Sequence, residues 1–197
     1  MNYWFLYNVS DGSIYGAPYL GDATEWTNIP QGCGVIGPFP QETASAEIRD
    51  AFMHPNYYTV RNGSLTAVAN MADLQLAEAK ATKTAQIQQA YQGALTAGFT
   101  SSATGSPVQF AYAQKDQDKF LRLSLMVSKG KITFPYSIPN KDGLPIPFTE
   151  AQYEQLETDI LAFEQGLETR LVELTAPVPI GAIANATSIE AVNAISF

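Results

Sequence analysis

The sequence has very few of the residues that most enzymes use at their reactive centres. It contains one cysteine, Cys33, and one histidine, His54, among 197 residues. A single thiol cannot form a disulfide within the chain, so the fold does not depend on an oxidising compartment. A single histidine excludes histidine-rich metal sites and disfavours a serine or cysteine catalytic triad.

Charged residues are also scarce. They make up 15% of the chain and the formal net charge is −8. The negative field predicts that neither nucleic acid nor an anionic membrane surface is a partner. The low charge indicates a surface rich in uncharged polar residues, or one that a partner covers. The cations cluster in one region, which we interpret as a solvated helix face: Lys115, Lys119, Arg122, Lys129 and Lys131.

Long hydrophobic runs are missing as well. No apolar run approaches the ~20 residues of a membrane span. Residues 3–7 are apolar, but no basic region precedes them and no small-residue cleavage site follows, so they are not expected to be a signal peptide. We therefore expect synthesis in a cytosol and no membrane partner.

What is present predicts an α+β fold. Residues 1–70 are predicted to form a small antiparallel β module, with strands at residues 2–9 and 14–20. The dipeptide Asn62-Gly63 predicts a two-residue type I′ hairpin turn. A short helix is expected at residues 43–53, with Ser45 as its cap.

Residues 71–97 predict a connecting helix, because they are rich in Ala, Gln, Glu and Lys. Gly98 is suited to the left-handed residue that ends a helix. Residues 98–197 are expected to form a helix–strand–helix domain. It includes a polar turn at 100–107, a helix beginning near Lys115, and a strand at 132–134.

The longest regular element is predicted to begin at Thr149, where a threonine three residues before Gln152 forms a capping-box pattern. Apolar residues then recur at steps of three and four, close to a heptad stripe. This long amphipathic helix either packs on its own domain or forms a seam with identical chains. The possible oligomer or partner interface comprises Tyr153, Leu156, Ile160, Phe163, Leu167 and Leu171.

None of the remaining motifs predicts chemistry. Residues 32–37 match a Gly-x-Gly-x-x-Gly string, but a proline follows and no helix opens there. We interpret Cys33 as a small buried thiol and His54 as a structural residue at a helix end. The acidic pairs Asp116/Asp118 and Glu154/Glu157 are interpreted as solvated helix faces. We therefore predict no catalytic, cofactor-binding or metal-binding residues and no enzymatic activity.

Residues 80–197 contain a helix that ends in a Gly-Phe-x-Ser motif, a tyrosine-containing strand, an Asp-Gln-Asp run and a tail that closes on an aromatic residue. The segments are residues 87–91, 94–103, 105–107, 110–112 and 116–118, with Ala186, Thr187, Glu190, Ile195 and Phe197. Together they resemble a family of uncharacterised domains from the C-terminal parts of bacteriophage tail proteins. Phe120 and Leu121 stand where the family has a more polar stretch.

The resemblance implies a non-enzymatic virion component from the baseplate or tail-fibre attachment region. Its expected partners are other tail, baseplate or tail-fibre proteins, with a possible dimer or trimer of this chain. It would be made in the host cytoplasm and located in the phage tail. Two alternatives remain open: a tail-fibre assembly chaperone absent from the mature virion, and a module that binds host-surface glycans through the aromatic residues of 3–26.

Overall fold

The computed structural model describes all residues, 1–197, and confirms the α+β fold. It contains six α-helices, one short 3-10 turn and nine strands. The chain divides into two compact units, unit 1 at Met1–Ala77 and unit 2 at Glu78–Phe197. The boundary falls inside a helix, not at the predicted limits of residues 70 and 97.

Unit 1 begins with a three-stranded antiparallel sheet in the order β2-β1-β3. Its strands are β1 (Asn2–Asn8), β2 (Tyr19–Gly21) and β3 (Cys33–Pro40). The predicted strand at residues 14–20 is therefore mostly wrong. Only its end pairs as a strand, and Ile14 makes an isolated bridge to Tyr7.

The Asn-Gly hairpin is confirmed. Strands β4 (Tyr58–Arg61) and β5 (Ser64–Ala67) pair around Asn62 and Gly63, whose φ values are 51° and 72°. Both central residues are left-handed, as a type I′ turn requires.

Helix α1 (Ala46–Met53) begins after Ser45, whose side chain accepts a hydrogen bond from the Ile48 N–H, as predicted. The 3-10 turn Pro55–Tyr57 connects it to β4. The core of unit 1 is aromatic and includes Tyr3, Phe5, Ala51, Tyr57 and Tyr58.

Helix α2 (Met71–Ala97) is the predicted connecting helix, but it is not a free rod. Met71 and Leu74 pack on the core of unit 1. Further along, Ile87 is buried with Leu174 and Ile183 in a cluster of unit 2. Each part of α2 therefore belongs to the core of one unit.

In unit 2, β6 (Phe99–Ser101) pairs with β7 (Val108–Phe110) directly after Gly98. The predicted polar turn at residues 100–107 is thus too long, because its first residues form β6. Helix α3 (Gln114–Ser128) follows and confirms the predicted start near Lys115.

A second hairpin consists of β8 (Tyr136–Pro139) and β9 (Pro145–Phe148). The predicted strand at 132–134 is wrong, since those residues are irregular. The prolines of β9 are compatible with pairing because each strand has a single neighbour, so alternate N–H groups face away from the ladder. The Asn140 side chain closes the turn by accepting hydrogen bonds from the Asp142 and Leu144 N–H groups.

Helix α4 (Glu150–Thr175) begins with the predicted capping box of Thr149 and Gln152. Helices α5 (Ala182–Asn185) and α6 (Ile189–Asn193) follow, and the Ser188 side chain caps α6 by accepting a hydrogen bond from the Ala191 N–H. Phe197 packs edge-on against Tyr91 of α2, with ring centroids 6.2 Å apart.

Gly98 provides a test of the α2–β6 junction. Its φ is +85°, and an added Cβ would collide with the Phe110 carbonyl oxygen. We predict that Gly98→Ala lowers the free energy of unfolding by more than about 1 kcal/mol, as measured by urea denaturation. Gly93→Ala is the matched control, because this helical glycine has open space around it and alanine there is expected to stabilise α2 by about 0.5–1 kcal/mol. Equal effects at the two positions would contradict the prediction.

Candidate functional site

The only histidine takes part in a structural network of unit 1. His54 Nδ1 lies 3.1 Å from Asp50 Oδ1, and its ring stacks on Tyr57. The Tyr58 hydroxyl donates to Asp50 Oδ2 at 2.7 Å. This hydrogen bond is the main reason why the pKa of Asp50 is lowered, while burial and Asp50 raise the pKa of Tyr58 to about 12. The network joins the end of α1 to the start of β4.

Cys33 and the glycines after it lie in strand β3. The Cys33 sulfur is 4.0 Å from the Asn8 side-chain oxygen and is half-buried. Gly37 packs against Trp4, and no helix follows this strand until residue 46. The glycine string therefore has no helix N-terminus with which to hold a phosphate.

No three acidic, histidine or cysteine side chains lie close enough together to hold a metal ion. None of the helices combines the length and the apolar character required to cross a lipid bilayer.

The six residues of the predicted interface all lie along the inward face of α4. Tyr153 and Leu156 are fully buried in the aromatic core of unit 2, and Ile160 and Phe163 pack against that core. Leu171 packs on the smaller cluster near the end of α4, and Leu167 is half-buried. Of the two alternatives left open for this stripe, local packing applies to Tyr153 and Leu156, which no other chain can contact in this conformation.

A different apolar surface is exposed on α3. Leu121 and Leu125, one helical turn apart, are 73% and 52% exposed. On the opposite side of the helix, Phe120, Leu123 and Val127 pack on the core. We name the Leu121–Leu125 pair the α3 crest.

A cationic groove of about 530 Å³ lies on one side of the α3 crest, between α3 and the β8–β9 hairpin. Lys115, Lys119 and Arg122 of α3 line it, together with Lys141 of the hairpin turn. Four of the 11 cations of the chain therefore meet at one place in a protein of net charge −8. The predicted cluster is confirmed for three of its members.

Asp116 lies in this groove and contradicts its interpretation as a solvated residue. It is 8% exposed, its Oδ1 lies 3.3 Å from Lys119 Nζ, and its Oδ2 has no hydrogen-bond partner. Asp118, by contrast, is exposed and accepts a hydrogen bond from Gln114, as a solvated residue does.

An acidic groove lies on the other side of the α3 crest, between α3 and α4. It has a volume of about 400 Å³, and Leu121 and Leu161 line it together with Asp118, Glu157 and Glu164. Leu161 is 52% exposed, and it lies on the outer face of α4 between Glu154, Glu157, Glu164 and Glu168. The α3 crest thus separates a positive groove from a negative one.

Two tyrosine–glutamate pairs hold the acidic groove in place. The Tyr112 hydroxyl donates to Glu164, and the Tyr153 hydroxyl donates to Glu157 at 2.9 Å. Burial first, and then the adjacent carboxylate, raise the pKa of both tyrosines well above the ordinary value. Two carboxylates are thereby fixed at the surface by rigid, buried rings.

Sequence reasoning identified the cations but missed the exposed leucines. The available signal was the spacing of Leu121 and Leu125, four residues apart among polar neighbours. Periodicity alone assigns one apolar face to a helix. Phe120, Leu123 and Val127 form that face of α3, so the periodicity gave no reason to expect exposed leucines elsewhere on the helix.

Comparisons with protein-family models, with characterised proteins and with solved structures find no match. The resemblance to phage tail domains therefore stays a prediction.

The tyrosine–glutamate pairs predict a specific loss of stability in alkali. Because the pKa of Tyr112 and Tyr153 is higher in the folded chain than the value of about 10 in the unfolded chain, their contribution to stability is complete below that pH. It is lost as pH rises further. We predict that Tyr112→Phe reduces the alkaline fall in the free energy of unfolding and costs about 1–2 kcal/mol at neutral pH.

The measurement is urea unfolding across a pH series, with tyrosinate absorbance recorded in parallel. Tyr15→Phe, at an exposed tyrosine of unit 1, is the control and is expected to change neither quantity. An unchanged alkaline slope in Tyr112→Phe contradicts the prediction.

Proposed function

We propose that this chain is a non-enzymatic structural component of a bacteriophage tail, in the baseplate or tail-fibre attachment region, and that it acts through protein–protein contacts. The observation that carries the contact role is the α3 crest, where two leucines are exposed on a rigid helix between grooves of opposite charge. The phage assignment rests on the resemblance of residues 80–197.

Exposed leucines on a well-packed helix favour a contact function because apolar surface gains free energy when a partner covers it. Full burial of a leucine is worth about 1.5–3 kcal/mol. The charged grooves beside the crest add orientation, since complementary charges fix how a partner docks. None of these features requires a bound cofactor or a reacting group.

The glycan-binding alternative has less support in the structure. Trp4 is almost fully buried, and Trp26 packs edge-on against both Trp4 and Tyr19. Trp4 is therefore not free to stack on a sugar, whereas Tyr15 and Tyr19, each 47% exposed, remain accessible.

Mass spectrometry of purified phage particles tests the proposal and separates it from the assembly-chaperone alternative. We expect the chain at a fixed stoichiometric ratio to known tail proteins, including after a high-salt wash. Its absence from the particles, with abundant chain in the infected cell, overturns the structural role and favours the chaperone.

A phage that carries Leu121→Ser tests whether the α3 crest is the contact surface. We expect a lower yield of complete particles, because a hydroxyl replaces the apolar contact. Met53→Ser is the matched control, since Met53 of unit 1 is 70% exposed. Equal yields from the two variants contradict the use of the crest.

A further inference from the structure

We propose that the surface formed by α3 and the outer face of α4 binds a second copy of this chain, with the two α3 helices parallel across a two-fold axis. This rests on the contact role proposed above and names the partner. The positions of the cationic and acidic grooves on opposite sides of the α3 crest favour this arrangement.

The charges on the two sides of the crest differ in sign, which excludes most ways of pairing the surface with itself. In a face-to-face dimer the two-fold axis lies in the plane of the interface. An axis perpendicular to α3 places the cationic groove of one copy over the cationic groove of the other. An axis parallel to α3 places each cationic groove over the acidic groove of the second copy.

Only the dimer with its axis parallel to α3, in which the two α3 helices are parallel, combines apolar contact with opposite charges. The α3 crests meet along the axis, so that Leu121 and Leu125 of one copy face the same residues of the second copy. Like charges that face each other across an interface repel, so the dimer with its axis perpendicular to α3, in which the α3 helices are antiparallel, is disfavoured.

The levels of the charges along α3 also match. Tyr112, just before α3, bonds to Glu164, whereas Ser124 near its end interacts with Tyr153, so α3 and α4 run antiparallel. Rotation about an axis parallel to α3 preserves position along that helix. Lys115 is therefore within about one helical turn of the level of Glu164 of the second copy, and Arg122 is close to the level of Glu154 of the second copy.

The charged groups that would pair are available. Glu164 accepts from the Tyr112 hydroxyl through Oε1, which leaves its Oε2 for Lys115 of the second copy. Lys115 and Arg122 form no ion pair within the chain, and Arg122 Nε donates only to the Asp118 carbonyl. Glu154 is exposed and its carboxylate accepts no side-chain hydrogen bond. A second copy can therefore engage these charges without breaking an existing bond.

Sedimentation equilibrium of the full-length chain tests the proposal. We expect a dimer at a concentration of about 10 µM, with a dissociation constant that rises with salt because the paired charges are screened. Arg122→Glu and Glu154→Lys, each alone, are expected to weaken the dimer by about 10-fold or more. Leu121→Ser is expected to weaken it similarly, and Met53→Ser is expected to leave it unchanged.

The decisive measurement mixes the Arg122→Glu chain with the Glu154→Lys chain. In their 1:1 heterodimer, the two substituted positions face each other with opposite charges, and the native Arg122 of one chain faces the native Glu154 of the other. The heterodimer is therefore expected to regain the native affinity, and a chain that carries both substitutions is expected to regain it as well.

Lys115→Glu is a second variant of the cationic groove and is expected to weaken the dimer in the same direction. It is expected to fold, because an acidic side chain near a helix N-terminus is favourable. Circular dichroism checks the fold of every variant.

A wild-type chain that remains a monomer overturns the proposal, as does a dimer that all the variants leave unchanged or that mixing fails to restore. The result is independent of the test for the proposed function. A monomer that is nevertheless found in phage particles removes this inference and leaves the structural role intact. A dimer that is absent from phage particles supports this inference and overturns the structural role.

Discussion

The burial of one aromatic cluster against α4 is the interaction on which unit 2 depends. Phe99 lies at its centre, with the rings of Phe110, Tyr112 and Phe163 at centroid distances of 5.5–5.7 Å. Tyr153 and Leu156 of α4 complete the cluster. Two-stranded pairs such as β6–β7 are at best marginally stable alone, so this packing is what allows them to exist.

That use of α4 determines which surface is left for function. Because the apolar stripe of α4 is directed inward, its outer face carries the glutamates that surround Leu161. The buried hydroxyls of Tyr112 and Tyr153 then hold Glu164 and Glu157 at fixed positions. The same rings that build the core therefore define the negative side of the α3 crest.

The elements predicted correctly are those that a local physical rule determines. Asn62-Gly63 fixes its own turn, Thr149 and Gln152 cap a helix within one turn, and Gly98 ends α2 because it tolerates a positive φ. None of these depends on distant residues, so the sequence alone was sufficient.

The elements missed are those that tertiary contacts determine. Strand β6 has three residues and forms because Phe99 and Ser101 pair with β7, which no short window of sequence can indicate. The burial of Asp116 and the exposure of Leu121 likewise depend on which face of α3 the rest of unit 2 covers. Helical spacing identifies an apolar residue but not what lies beside it.

The arrangement of charge around the α3 crest has a consequence for specificity. An apolar contact alone is not directional, so two exposed leucines would accept many partners. Grooves of opposite sign on the two sides penalise every partner that presents the wrong sign on either side. In a chain with so few charged residues, the placement of four cations in one groove and several glutamates beside the other therefore contributes more to selecting a partner than to the strength of binding.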